Sequence, residues 1–513
     1  MLRFAVIACL LSSLASAQSH SSFEKRFKAI MSRPEYRHSR FGVEFYSLDQ
    51  SKVLYAWNPQ ELFIPGSTTK ILTVGTALEL LSPDFRFHTR IYRTGPLVNG
   101  TLDGDLVLVA SGDPNLSNRI QPDGSMVFEN EDHSYDGFAA ARPVPGDPLM
   151  VIRQLASKIA AAGVSHVTGK VRVNASLFPE GARELGTRVV ISPVVVNDNL
   201  VDVIVTPGRE GDPAVLAISP QTRYVAIRNQ ARTVAAGGRA ELAWDRDVAG
   251  PDGTRTVALT GTIPAGSKPR LRVYKVPSPS RFAEVVLAEA LVAAGVQIAG
   301  GEKAASIPYS PDNELAAHVS PPLREAAKVT LKVSQNLHAS ILPYILGVYP
   351  TKRGDDPLEA GFQREGEMLR KAGLDITGAV QNDGAGGAAL FAPDFMVRFL
   401  LHLSGQPFFP DFLKALPVLG KDGTLFDIQT GSPAAGHVFA KTGTYGAGNA
   451  LTGGGVVQGK GLAGFIDTKD GRRLAFAAYV NFVPFAEMNE ESTKTVGQAL
   501  GEIAAAAYDG FKR

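Results

Sequence analysis

The sequence predicts a mixed α/β (α+β) fold: an antiparallel sheet flanked by helices and split by a large β-rich insertion. Three observations carry that expectation. An alternating apolar and polar run with a turn-rich centre, Phe41–Trp57, reads as a β-hairpin, and a helix follows from Ser67 to about Leu81. Short strand-like runs punctuated by glycine then fill residues 94–300. After them helical periodicity returns, and the chain closes on three strand patterns and an amphipathic helix.

A chain of 513 residues is too long for one hydrophobic core and predicts several domains. Residues 1–17 read as a signal peptide: a basic Met1-Leu2-Arg3, an apolar Phe4–Leu14 and an A-x-A cleavage site, Ala15-Ser16-Ala17. That segment is too short to serve as a transmembrane anchor. The single cysteine, Cys9, lies within it. Val6-Ile7-Ala8-Cys9 superficially matches a lipoprotein processing site, but processing there would leave an apolar stretch beyond it. Cleavage after Ala17 gives a mature protein without a thiol, excluding disulfides, thiol catalysis and cysteine metal sites. A periplasmic or secreted location follows. With 52 Lys and Arg against 50 Asp and Glu, nothing argues for nucleic acid or an anionic membrane surface as partner.

Residues 18–93 form the first part of the main domain, and the helix after Pro65-Gly66 is apolar enough to be buried. Residues 94–300 are the insertion, expected to divide into two nested subdomains. Its strands include Asp105–Ala110, Val167–Val173 and Val201–Val205, with one amphipathic helix over 149–163. Residues 301–513 complete the main domain. A helix over Leu323–Leu346 has Leu331, Val333, Leu337, Ile341 and Leu342 as its apolar set, with Ser334 and Asn336 inside it. Residues 394–404 and 409–416 are helical. Strands begin at Val438, Gly461 and Leu474, the last two joined by a tight turn at Gly471-Arg472. The helix Glu491–Phe511 carries Val496, Leu500, Ile503, Ala507 and Phe511 on one face. It lacks the basic polar face of a membrane-surface helix, so it packs on the sheet.

Ser67 and Lys70 stand one turn apart on one face of their helix. At a helix N-terminus the hydroxyl also meets unpaired backbone N–H groups and the positive end of the dipole. A serine hydroxyl needs a base, and a desolvated lysine can be that base. By itself S-x-x-K is equally explained by a capped core helix. Two further elements change this: Ser334-Gln335-Asn336 in a helical setting and Lys441-Thr442-Gly443-Thr444 in a strand-like one. Buried Ser334 and Asn336 need hydrogen-bond partners, which a neighbouring loop could supply. The more economical reading has them face a cleft and contact Lys70. His338, one turn beyond Ser334, invites a Ser-His reading, but Lys70 already supplies a base and the chain has no G-x-S-x-G elbow. Gly384–Ala389 mimics a dinucleotide phosphate loop, yet it follows Gln381-Asn382-Asp383 instead of an apolar strand.

S-x-x-K, S-x-N and K-T-G in that order resemble the penicillin-recognising serine acyl-transferases, the penicillin-binding proteins and serine β-lactamases. The insertion right after the first motif, Gly112-Asp113-Pro114, Asp383-Gly384 and the turn segment Leu416–Leu425 are similar to the low-molecular-mass class C penicillin-binding proteins. Those are D-alanyl-D-alanine carboxypeptidases, often also endopeptidases of peptidoglycan. The resemblance covers essentially the whole mature chain and implies a transpeptidase/β-lactamase-like catalytic fold. It implies peptidoglycan stem peptides as substrates, β-lactams as covalent inhibitors, and neither cofactor nor metal. It implies that Ser67 attacks the carbonyl of the penultimate D-Ala while Lys70, its pKa drawn down by burial and nearby cations, takes the proton. Ser334 would relay a proton to the leaving amine in a network with Lys70 and Lys441, and Asn336 would bind the substrate amide. Lys441, with Thr442 or Thr444 across Gly443, would hold the terminal carboxylate. The backbone N–H groups of Ser67 and Thr444 would form an oxyanion hole, worth roughly 3–4 kcal/mol per donor.

The sequence departs from the resemblance at the side pocket. Relatives that read a diaminopimelate side chain use an acid in the insertion, an Arg after the D-G-S-G element and a polar residue past K-T-G. The corresponding positions here are Asn174, Ala389 and Gly446, and the Gly-rich stretch Gly446–Gly461 is expected to lengthen a loop beside the site. Two other readings stay open: a secreted serine β-lactamase or esterase of the same fold, which nitrocefin turnover would reveal, and a non-catalytic wall-binding protein. The length and insertion argue against the first, the intact motifs against the second.

Overall fold

The computed structural model describes residues 22–302 and 309–510. The expected signal peptide over 1–17, with Cys9, and Phe511 of the closing helix lie outside the described residues. By contacts the chain divides into two units, one of Met1–Pro83 with Ala327–Arg513 and one of Asp84–Ala326.

The first unit is built on a five-stranded sheet in the order Val438–Gly448, Gly455–Asp467, Arg473–Phe485, Arg40–Ser47, Lys52–Trp57. Every neighbouring pair is antiparallel. Local hairpins make all but one pairing. The remaining one sets Arg40–Ser47 against Arg473–Phe485 and so joins the two ends of the chain. A helix over 22–31 and the closing helix Glu490–Gly510 contribute to one apolar core with the sheet. Phe23 meets Phe45 edge-on at 5.1 Å, and Phe45 stacks on Phe476 at 5.5 Å. Val496, Leu500, Ile503 and Ala507 are buried as their spacing predicts. Full burial of a Val, Leu or Ile side chain such as these contributes about 1.5–3 kcal/mol. Among the described residues no helix is long and apolar enough to cross a membrane.

The helix Thr69–Leu81 is buried on every side through Leu78, the pattern of a core helix rather than a surface one. Gly75 lets it close on the helix Pro393–Ser404, since a Cβ there would lie 2.9 Å from the Phe399 ring.

Two expectations are corrected. Leu323–Leu346 is not one helix: it ends at Lys332 and restarts at Asn336, running to Val348. The apolar spacing carries through the break, but Ser334 takes a left-handed φ of 62° and the Gln335 side chain caps the second helix by accepting from Leu337 N–H. The Gly-rich stretch after K-T-G is not a long loop either. Strand persists to Gly448 and resumes at Gly455, leaving a short turn. Gly455, Val456 and Val457 pair with Phe485, Pro484 and Val483 of the third strand, which supplies the ladder.

Among the described residues the second unit holds four small sheets. Its strand Glu314–Val319 pairs with His88–Arg93, which pairs with Leu106–Val109, so the unit reaches beyond 94–300 at both ends. Its apolar residues gather in two cores. The larger includes Leu108, Ile152, Val286 and Leu291, and the smaller Val203, Ala231, Leu259 and Ile263.

Candidate active site

Ser67 lies in a 3-10 turn, Gly66–Thr68, that runs into the buried helix. Gly66 has φ 52°, and a Cβ on it would fall 2.5 Å from the Thr444 backbone nitrogen. A Cβ on Gly443 would fall 1.9 Å from the Pro65 carbonyl oxygen and 3.1 Å from the Ser67 nitrogen. Two glycines therefore bring the nucleophile turn and the K-T-G strand together backbone to backbone. The Thr444 backbone nitrogen thereby lies close to Gly66, and the Ser67 nitrogen close to Gly443.

Lys70 is fully buried, and its Nζ donates to Ser67 Oγ at 2.7 Å, to Asn336 Oδ1 at 2.6 Å and to the Ala385 carbonyl at 3.2 Å. The structure thus brings Ser67, Lys70 and Asn336 together from residues far apart in sequence. Lys441, also fully buried, donates to the Thr442 carbonyl at 2.8 Å. Burial first, and then the charges of Lys70 and Lys460, push its pKa well below the usual lysine value. Ser334 occupies the left-handed turn just before Asn336 and is buried. That turn is held by the 417–425 segment: Lys332 Nζ donates to both oxygens of Asp422, at 2.7 and 2.8 Å, and a Cβ on Gly423 would lie 2.4 Å from the Lys332 carbonyl. Thr442 Oγ1 donates to Thr424 Oγ1 at 2.7 Å.

K-T-G lies on the edge strand of the sheet. Leu419 N–H donates to Val438 and Ala440 N–H to Pro417, so the turn segment covers the start of that edge.

Three contributors were given no role in the site by the sequence reading. Asp383 organises a loop through its carboxylate: Oδ1 accepts from Ala385 and Gly386 N–H at 2.6 Å each, and Oδ2 from Ala388 N–H at 2.7 Å. That loop presents the Ala385 carbonyl to Lys70 and the Gly384 carbonyl to Thr73 Oγ1, at 2.9 Å. Thr424 is the second. Lys460 is the third, a buried lysine whose Nζ donates to Thr444 Oγ1 at 2.7 Å. Its signal was visible: one lysine between two glycines in a largely apolar strand. Asn174 belongs to the second unit, at the end of the strand Val171–Asn174, where its Oδ1 accepts from Ser176 N–H at 3.0 Å. His338 is buried in the helix after Asn336.

Asp132, His133 and Asp198 of the second unit could in principle hold a metal ion. Their chemistry is that of an ion-pair cluster. His133 Nε2 meets Asp198 and Nδ1 meets Asp202, both at 2.8 Å, and both nitrogens facing carboxylates calls for a proton on each. No ring lone pair is then left for a metal. Arg119 Nη2 reaches Asp198 at 2.7 Å and also pairs with Asp132.

A hydroxyl beside a buried amine, on a turn whose backbone closes against the K-T-G strand, is an arrangement for acyl transfer. Set on an antiparallel sheet between helices, it places the molecule among the penicillin-recognising serine enzymes. The sequence matches the D-Ala-D-Ala carboxypeptidase 3 (S13) family over residues 23–506, and the chain belongs to that family. It is 29% identical over 464 residues to a D-alanyl-D-alanine carboxypeptidase of Actinomadura sp. (strain R39), covering 86% of this chain and 79% of that protein. It is 23% identical to D-alanyl-D-alanine carboxypeptidase DacB of Haemophilus influenzae, over 86% of this chain and 85% of the relative. The crystal structure of penicillin binding protein 4 from Haemophilus influenzae has the same fold, with a TM-score of 0.70, 19% identity and coverage of 94% of this chain and 98% of that one.

Proposed function

We propose that this chain is a serine DD-peptidase that removes the terminal D-Ala from peptidoglycan stem peptides, and opens D-Ala cross-links, through an acyl-enzyme on Ser67. The observation that carries this reading is the 2.7 Å approach of Lys70 Nζ to Ser67 Oγ beside the K-T-G strand, in a chain of the S13 family. In its neutral form Lys70 takes the hydroxyl proton as Ser67 attacks the carbonyl of the penultimate D-Ala. The N–H groups of Ser67 and Thr444 receive the oxyanion. Ser334 passes a proton to the departing amine, in a network with Lys70 and Lys441, and the C–N bond breaks. Water then hydrolyses the ester and returns Ser67 to its free form. Asn336 binds the substrate amide, and the peptide lies along the edge strand as an added strand. Lys441, Thr442 and Thr444 hold the terminal carboxylate. β-Lactams acylate the same serine.

Peptidoglycan lies outside the cytoplasmic membrane, so the signal peptide of residues 1–17 fits export to the periplasm or beyond. By the resemblance, Asn174, Ala389 and Gly446 replace the acid, the arginine and the polar residue that relatives use to read a zwitterionic side chain. The enzyme is accordingly less selective for that end than its relatives. Comparing hydrolysis of muropeptides with free and amidated diaminopimelate tests this, and a strong preference for the free form refutes it. For the activity itself, the test is incubation with a stem pentapeptide and with a fluorescent penicillin. D-Ala release and a penicilloyl adduct on the Ser67 peptide are expected; absence of both overturns the reading.

A further inference from the structure

Lys460 lies directly opposite Thr444 in the antiparallel pair of strands, so the two side chains share a face of the sheet. Lys460 is 9% exposed, whereas Thr444 is exposed. Among the described residues Lys460 forms no ion pair, and its one hydrogen bond is the 2.7 Å contact to the Thr444 hydroxyl. The charge of Asp427 favours the protonated Lys460, but that carboxylate is itself paired with Lys494 at 2.6 Å. Gly497 of the closing helix lies against the chain, and a Cβ there would make ordinary contact with Lys460 Cε at 3.4 Å and Nζ at 3.7 Å. A buried ammonium whose hydrogen-bond partner is neutral is costly, and an anion bound beside it lowers that cost. Burial accordingly pushes the Lys460 pKa down to about 8.

The partner it does have fixes a proton. A hydroxyl that accepts from an ammonium must send its own hydrogen elsewhere. Thr444 then has that hydrogen free for an acceptor other than Lys460.

We infer that Lys460 is a positioning and specificity-determining residue: it turns the Thr444 hydroxyl into a donor for the substrate's terminal carboxylate and supplies the positive charge behind it. This rests on the DD-peptidase reading of the same site. The anion completes the charge balance of the buried ammonium only when a peptide with a free C-terminus is bound. Discrimination between an acid and a neutral C-terminus is therefore built into the strand next to K-T-G.

The test uses the full mature protein and two substrates, a stem pentapeptide ending in D-Ala-D-Ala and its C-terminal carboxamide. Lys460→Met is expected to raise KM for the acid by at least about tenfold. Its kcat should stay within about twofold, the signature of lost ground-state binding. The carboxamide, which offers no anion, keeps its KM, and Lys460→Arg restores preference for the acid. Should Lys460→Met fail to fold, Lys460→Gln takes its place in the same comparison. Unchanged discrimination in a folded neutral variant, with wild-type D-Ala release intact, overturns the role of Lys460 and leaves the DD-peptidase reading standing. If the wild-type protein neither releases D-Ala nor is acylated by penicillin, both fall.

Discussion

Lys70 Nζ lies 2.7 Å from Ser67 Oγ and 2.6 Å from Asn336 Oδ1, so one buried amine joins the first two motifs of the site. If that amine is the base, what matters is its ability to be neutral, and arginine cannot replace it. Lys70→Arg should lower acylation by at least about 10³-fold while the fold persists. Stopped-flow or gel-based labelling with a fluorescent penicillin measures it. Labelling at the wild-type rate would remove Lys70 from the base role.

Asp383 touches neither Ser67 nor Lys70 through any of its three backbone N–H contacts. Its work is to hold the loop that offers the Ala385 and Gly384 carbonyls to the helix. Asp383→Ala frees three backbone donors and lets that loop drift, and a displacement of about 1 Å in such a shell costs roughly 10²-fold in rate. The loss should fall on kcat/KM for acylation, and Asp383→Asn, which keeps one acceptor oxygen, should recover part of it. Equal losses in the two variants would contradict this account.

Glu365 offers a stability prediction. It is 3% exposed on the helix Pro357–Lys371, neither carboxylate oxygen has a hydrogen-bond partner among the described residues, and burial pushes its pKa up to about 8. A carboxyl whose pKa is raised on folding takes up a proton as the chain folds. Its contribution is therefore fully present below the unfolded value of 4.5 and is lost as pH rises toward about 8. The slope across that window is at most about 1.4 kcal/mol per pH unit. Glu365→Gln should flatten it and raise Tm most at the alkaline end. Melting curves of the two proteins that stay parallel from acid to neutral pH would rule the effect out.

Much of this site was legible because its chemistry is written in short contiguous stretches. Ser67 with Lys70, and Lys441 through Thr444, each sit within one turn or one strand, where spacing alone fixes relative placement. The break at Ser334 was not legible, because Leu331, Val333 and Leu337 keep helical spacing across it. The break depends on partners remote in sequence, namely Asp422 on Lys332 and Gly423 against the Lys332 carbonyl. The glycines after K-T-G pointed to a loop for a related reason. Gly459 and Gly455 are small because Ile64 and Met488 pack on them, with a Cβ at either position falling 2.4 Å from the Ile64 carbonyl or 2.6 Å from Met488 Cβ. Close packing and a loop leave the same residue in the sequence.

The last prediction concerns the buried ionic cluster of the second unit. Arg119 is 1% exposed and pairs with Asp132 and Asp198, while His133 bridges Asp198 and Asp202. Burial alone would raise Asp132, but Arg119 and His133 outweigh it and hold its pKa below the usual carboxylate value. Three buried carboxylates thus depend on two cations, and Asn197, Asp198 and Asn199 all take left-handed φ to reach them. Arg119→Leu removes one cation and leaves carboxylates buried without compensation, a loss of about 3–5 kcal/mol. Protonating the aspartates relieves the excess charge, so the penalty should shrink as pH falls through the acid range. Chemical denaturation of wild type and variant at neutral and mildly acidic pH measures both. A penalty that stays constant with pH would mean Arg119 acts by filling volume and not by charge.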